Sequence, residues 1–377
     1  MGAYPVNDDI FFIKRFLSGL LVSGRWPRDA ALATRAAPDA LAETARGESV
    51  AAALFESIRW EETDTPAASA LRAVLIGDAR RAAVNEILNR AELERVLPRL
   101  IERGHRFLLI KGAPLGYTLY PNPAQRGRCD TDVLVPPDAV AGFIETLRGL
   151  GYREQPGISG EIVSHQKSVD WVDARGCGHV FDVHWKISNR PGLADRIGFE
   201  ELWANRLEVP ALGAGVCAPD DVSALLLACL HLAGHHPGAE KLIWLYDIHL
   251  LAQALDSAGK ARFAALCRER GIAGQCLPVL SLTSGLFPSP ALAALITGLD
   301  GAKTPPKTAG RRHGRLAMLA EDLRALPDWR ARLRLLKEHA FPDAAYIRER
   351  YRVRANFLLP YYYLKRLVTG VRGWLRR

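Results

Sequence analysis

Apolar residues recur at helical spacing near the start of the chain. Phe12, Phe16, Leu17, Leu20 and Leu21 fall on one face of a helix. Val84, Ile87, Leu88 and Ala91 repeat the pattern, followed by Val96, Leu97, Leu100 and Ile101. Between them, Trp26-Pro27 and Thr63-Asp64-Thr65-Pro66 read as turns or loops. The period changes at Gly104. The short apolar run 106–111 suits a buried strand, and Gly112 stops it. A short helix is expected over 113–119, then a rigid turn at Pro121-Asn122-Pro123. A second strand over 131–135 ends at Pro136-Pro137. Residues 138–150 form a helix with Val140, Phe143, Ile144 and Leu147 on one side and Gly151 as its stop. Further strands are expected over 167–172 and 179–185. In the latter, Val180, Asp182 and His184 face one way, and Phe181, Val183 and Trp185 the other.

From Pro219 onward the pattern is helical again. Asp220 or Asp221 caps a helix running to about Ala233, and a second helix covers 241–255. Residues 301–310 have little that could pack and read as an exposed linker. The expected organisation is an N-terminal helical region over 1–100 and a strand-bearing core over 101–212. A helical domain over 213–300, a linker over 301–315 and a helical tail over 316–377 follow. The length fits roughly two to three domains.

Composition narrows the classes. Hydrophobic residues at 49% and charged residues at 24% exclude a wholly disordered chain. The apolar runs are shorter than the roughly 20 residues a membrane-spanning helix needs, and no export signal is evident. The six cysteines form no CxxC pair, so they read as reduced thiols of a cytoplasmic protein. Cys129 alone lies beside the candidate chemistry. The net charge of +9 is concentrated: residues 346–377 carry +8 and the other 345 residues +1. A nearly neutral body gives no strong nucleic-acid signal.

The informative residues are Lys111-Gly112, Arg126, Asp130-x-Asp132 and Asp182-x-His184. Two carboxylates one residue apart on a strand share a face and can hold a divalent cation between them. A third from a neighbouring strand completes the set. Such hard oxygens suit Mg²⁺, whose other ligands are waters and substrate phosphates. A pair of such ions can stabilise both oxygens of an in-line displacement at phosphorus. A strand ending in glycine lets backbone N–H groups approach a phosphate. Lys111 and Arg126 are near enough in sequence to neutralise a triphosphate.

The order Lys111-Gly112, Tyr120-Pro121, Arg126, Asp130-x-Asp132 and Asp182-Val183-His184-Trp185 resembles nucleotidyltransferases of the DNA polymerase β type. More narrowly, it resembles the bacterial uncharacterised nucleotidyltransferase family. His231 and Trp244-Leu245-Tyr246-Asp247 also fit that family's helical region. The match covers about residues 80–255 well. The resemblance implies an α+β fold: a small mixed β-sheet core flanked by N- and C-terminal helical regions. It implies Mg²⁺ (two ions, with Mn²⁺ as substitute) and a nucleoside triphosphate such as ATP. Nucleotidyl transfer to a hydroxyl acceptor releases pyrophosphate. Asp130, Asp132 and Asp182 would be the catalytic metal ligands. Lys111, Gly112, Ala113, Arg126 and His184 would contact the nucleotide. Ala113 stands where the superfamily usually carries Ser or Gly, and the gap from Gly112 to Asp130 is longer than usual.

Each residue also has a plainer reading. Lys111 could be a solvated strand-end lysine and Arg126 a structural partner of the aspartates. Arg128 reads as a neighbouring surface charge, and His184 as a core histidine. His231-x-x-x-His235-His236 has ligand spacing, but Leu232 stands where a zinc-protease motif needs Glu. Trp244 reads as core, and Asp247 as a helix-surface ion pair or a residue of the substrate cleft. The tail 346–377 mixes Tyr361, Tyr362, Tyr363 and Trp374 with basic residues. It suits packing on the body, a peripheral site at the inner membrane surface, or an acidic or nucleic-acid partner. The alternative to an enzyme is a catalytically silent nucleotidyltransferase-like binding or scaffold protein.

Overall fold

The fold is described from a computed structural model, covering residues 8–27, 37–63, 65–158, 160–300 and 315–375. The first helices are α1 (Asp8–Ser23), α2 (Pro38–Gly47) and α3 (Ala51–Ser57). α2 and α3 pack on α4 (Pro66–Glu102), a helix of 37 residues, and α1 packs on α2 and α3. Thr65 starts α4, its hydroxyl accepting from the Ala68 N–H, with Pro66 in the first turn where no N–H is needed.

The sheet explains where the functional residues go. Strands β1 (Leu108–Ile110), β2 (Thr131–Leu134), β3 (Arg153–Glu154), β4 (Gln166–Val172) and β5 (Gly178–His184) lie in the order β1-β2-β5-β4-β3. β2 and β5 run parallel and every other pair is antiparallel, which makes the sheet mixed and the fold α+β. Between β1 and β2 lies α5 (Gly112–Thr118), and after β2 comes α6 (Val140–Gly149). Alternation divides the sheet's faces. Leu109, Val133, Val169, Phe181 and Val183 join the end of α4 and α6 in one apolar cluster. Leu108, Ile110 and Leu134 belong to a second, larger cluster.

Beyond the sheet come α7 (Pro191–Ala194) and α8 (Phe199–Ala204), then a two-stranded ribbon of β6 (Arg206–Glu208) and β7 (Cys217–Pro219). The next helices are α9 (Asp221–His235), α10 (Leu242–Ala254), α11 (Ser257–Glu269), α12 (Ala273–Leu286) and α13 (Pro290–Leu299). The cap of α9 is Asp220, which accepts from Ser223 N–H at 2.9 Å. Helices α1 to α3 and α9 to α13 share the larger cluster, so the helical regions before and after the sheet have one core. The chain closes with α14 (Arg315–Ala325), α15 (Trp329–Ala340), α16 (Ala344–Tyr351) and α17 (Leu359–Leu375). The expected linker over 301–310 lies outside the described residues. Among those residues, no helix is long and apolar enough to cross a membrane.

One stretch departs from the periodic pattern. Val84 and Ile87 are on α4 as expected but exposed, and nothing in α4 between Leu75 and Glu92 is buried. The first turns of α4 belong to the larger cluster and its last turns to the sheet's cluster. A helix of this length spans roughly 55 Å, enough to bridge two packing surfaces with its middle in solvent.

Candidate active site

Register builds the site. Ile110 pairs with Asp132, Asp132 with Asp182, and Asp182 with Ser168, giving one row across four strands. Asp132 and Asp182 are therefore neighbours on the same face of two parallel strands. Val133 and Val183, one residue on, point into the opposite core. His184 follows Asp182 by two and shares its face. Carboxylate oxygens of Asp132 and Asp182 and a ring nitrogen of His184 all lie within 4.8 Å of one another. Among the described residues this is the group of acidic, histidine or cysteine side chains that could share one ion. Asp130 sits just before β2, at the exposed rim of the site and outside that group.

The contacts within the group are polar and short. Asp132 Oδ1 lies 2.7 Å from Lys111 Nζ and 2.9 Å from His184 Nε2. With a hydrogen on Nε2 directed at Asp132, the 3.4 Å approach of the Lys111 ammonium to that nitrogen is not a second hydrogen bond. The Ser168 hydroxyl donates to Asp182 Oδ1. Burial opposes charge on Asp132, but the hydrogen bonds and charges of His184 and Lys111 prevail and hold its pKa well below the ordinary carboxylate range. Asp130 goes the other way. Partial desolvation, reinforced by the charges of Asp132 and Asp182, pushes it up to about 6. The donor set fits a divalent cation: the two carboxylates supply the hard oxygens that Mg²⁺ and Mn²⁺ take, with His184 held against one of them.

Lys111 reaches Asp132 from a strained turn. Its backbone has φ 59° and ψ −134°, a region that favours glycine. Directly after it, Gly112 opens α5, and a Cβ there would meet three guanidinium atoms of Arg126 at 3.1–3.2 Å. Arg126 is buried. Its Nε lies 2.9 Å from both Asp247 oxygens, its Nη2 is 2.8 Å from Oδ2, and Nη1 donates to the Gly127 carbonyl. Tyr120 donates to the same carboxylate at 2.7 Å. The structure thus directs Arg126 toward Asp247 on α10, under the glycine turn, with each of its three guanidinium nitrogens in contact with a protein oxygen. Asp247 is neither a helix-surface residue nor lining an open cleft.

Arg128 also departs from expectation. Its side chain is buried, paired with Glu86 at 2.7 Å and set against the Tyr117 ring, whose hydroxyl donates to the same Glu86. The exposed middle of α4 thus braces the loop that carries Asp130. Cys129 beside it is exposed. The histidines of α9 flank the site without forming a ligand group. His231 lies among His235, His236 and Trp244, and His235 Nε2 is 3.0 Å from Ser188 Oγ. Burial, with Lys111 nearby, lowers His235 to about 4 and His231 to about 2.

Ser168 and the Arg126–Asp247–Tyr120 cluster were not assigned these partners by sequence reasoning. Ser168 had a usable signal, being a small polar residue on the expected strand that precedes that of Asp182 in the chain.

A mixed sheet carries paired acids on adjacent parallel strands, with a lysine-glycine turn beside them and helices on its flank. The chain belongs to the family described as "Uncharacterised nucleotidyltransferase", whose sequence profile matches residues 34–288. No curated protein matches the chain.

Proposed function

We propose that this protein transfers a nucleoside monophosphate from a nucleoside triphosphate to a hydroxyl acceptor. The observation that carries the reading is the shared row of Asp132 and Asp182, with His184 beside them, in a chain of nucleotidyltransferase descent. The acceptor oxygen attacks the α-phosphorus, and the bond from that phosphorus to the α,β-bridging oxygen breaks. Pyrophosphate leaves, and the acceptor proton passes to solvent. A bound Mg²⁺ pair, or Mn²⁺ in its place, would neutralise charge on the phosphates.

Asp132 and Asp182 would hold the cation, with Asp130 at the rim as a further ligand. His184 orients the Asp132 carboxylate, and Ser168 orients that of Asp182. Lys111 neutralises Asp132 in the free protein and offers its ammonium to the phosphates of the substrate. Backbone N–H groups of Gly112 and Ala113, in the first turn of α5, would contact the same phosphates. Arg126 is a positioning residue: it fixes the glycine turn through Asp247 and does not itself reach substrate. Most of the rate then comes from placement and fixed charge.

The test uses nucleoside triphosphates labelled separately at the α- and γ-phosphorus, incubated with Mg²⁺ and pooled hydroxyl metabolites. Transfer of the α-label with pyrophosphate release, abolished in Asp132→Asn, is the expected result. Transfer of the γ-label alone would make the protein a kinase. Tight nucleotide binding with no label transferred to any acceptor pool would favour the silent binding protein, for which the absent hydroxyl at Ala113 is the supporting observation.

A further inference from the structure

Two of the last helices each carry an exposed apolar stripe. On α15, Trp329, Leu333 and Leu336 are exposed at spacings of four and three, so they form one stripe. On α17, Tyr361, Leu364 and Val368 do the same, with Phe357 exposed to 81% just ahead of them. The opposite side of α15 is the anchored one. Leu335 is buried, and Glu338 accepts from the backbone N–H groups of Ile162 and Val163 at 3.0 Å each. Arg190 ties α14 down through Asp322 and Glu321. The two striped helices also hold each other: Tyr363 donates to the Pro342 carbonyl at 2.7 Å and Arg366 to that of His339 at 3.3 Å. Their exposed stripes are therefore a property of how the helices dock, not of loose ends.

Charge follows the same division. Residues 329–377 contain thirteen Lys and Arg against three acids, a net +10, while residues 1–328 carry −1. At 100° per residue, Arg332 flanks the α15 stripe on one side and Arg330 and Lys337 on the other. Lys365 borders the α17 stripe and is exposed. Two linked helices with apolar stripes, aromatic residues and basic margins have the makeup of interfacial helices that lie in the plane of a bilayer. The basic margin complements anionic headgroups. Leu333, Leu336, Leu364 and Val368 argue against a nucleic acid, because aliphatic side chains offer no flat face for stacking bases.

We propose that the outer face of α15 and α17 docks on the surface of an anionic lipid bilayer. The docking is peripheral: the stripes enter the headgroup boundary and the basic residues stay among the phosphates. The proposal does not rest on the transferase reading.

The experiment is flotation of the full chain with phosphatidylcholine vesicles, with and without phosphatidylglycerol, at low and high salt. Binding to the anionic vesicles alone, weakened by salt, is expected. The variant Trp329→Ser/Leu333→Ser/Phe357→Ser/Leu364→Ser should lose at least about tenfold in partitioning while keeping its melting temperature. The variant Arg330→Glu/Lys337→Glu/Lys365→Glu should also detach, with the apolar stripes intact. A wild type that floats with neither vesicle overturns the proposal. So does a dimer in solution that the first variant returns to monomer, because the face then belongs to a second copy. Binding of single-stranded RNA without vesicle binding overturns it in favour of a nucleic acid.

Discussion

Asp247 grips Arg126 through both carboxylate oxygens although the two residues lie 121 positions apart. Both side chains are buried, so each is the other's substitute for water. Arg126 in turn floors the Lys111-Gly112 turn. The pair therefore couples α10 to the geometry of the candidate site. Breaking it by Asp247→Asn or Arg126→Ala should cost about 3–5 kcal/mol, because one buried charge is left without a partner. The double variant Arg126→Met/Asp247→Leu should cost much less than the sum of the single changes, as read by urea unfolding. Additive losses would mean that the two groups do not depend on each other.

Gly112 and Gly116 give a matched comparison on one helix. A Cβ at Gly112 would press on the Arg126 guanidinium, which Asp247 holds in place, whereas at Gly116 the nearest atoms lie at 3.5 Å. Gly116→Ala should be neutral or raise stability by up to about 1 kcal/mol, since alanine favours a helix. Gly112→Ala should lower both stability and nucleotide affinity. Equal behaviour of the two in thermal unfolding and nucleotide titration would contradict the tight approach.

The backbone at Lys111 makes an inverted prediction. Lys111→Ala and Lys111→Gly both remove the ammonium that pairs with Asp132. Alanine ordinarily tolerates folded structure better than glycine, but the positive φ at this position favours glycine. Lys111→Gly should therefore be more stable than Lys111→Ala by about 1 kcal/mol, with both equally weak toward nucleotide. The reverse order of melting temperatures would show that the turn is not strained.

How much of this was legible in the sequence depends on the distance over which a residue acts. Strand alternation was enough to place Asp182 and His184 together and to set Asp132 opposite Val133. The lysine-glycine stop was visible because it is local. The Arg126–Asp247 pair was not, since no periodicity links residues so far apart, and a polar residue on an amphipathic helix reads as surface. Arg128 was misread as a surface charge for the same reason: its partner Glu86 lies 42 positions away on α4. The exposure of Val84 and Ile87 shows the converse limit. Helical spacing of apolar residues marks a helix, but the bodies it spans decide which turns are covered.

Acid should unfold the protein early, and the histidines give the sign. His165 and His235 are each lowered to about 4 and His231 to about 2, in every case chiefly by burial. All three are neutral when folded, and each takes up a proton on unfolding below about pH 6.5. The unfolded state then binds more protons, so stability falls as pH drops from about 6.5 toward 4. Each histidine contributes a slope approaching roughly 1.4 kcal/mol per pH unit. Asp130, raised to about 6, acts with the opposite sign over part of this window, but it is one exposed group against three histidines. Urea midpoints measured at pH 7.5, 6.5 and 5.5 should fall steadily, and His231→Gln/His235→Gln should flatten the decline. A midpoint independent of pH over that range would contradict the neutral buried histidines.

The central claim is that Asp132 and Asp182 form one divalent-cation site that serves a nucleoside triphosphate. It is tested most directly by calorimetric titration of each nucleoside triphosphate into the protein, with Mg²⁺ and with chelator, for the wild type and for Asp132→Asn/Asp182→Asn. Binding that requires Mg²⁺ and vanishes in the folded double variant is the predicted result. Equal binding by the double variant, or binding indifferent to the cation, would contradict the account.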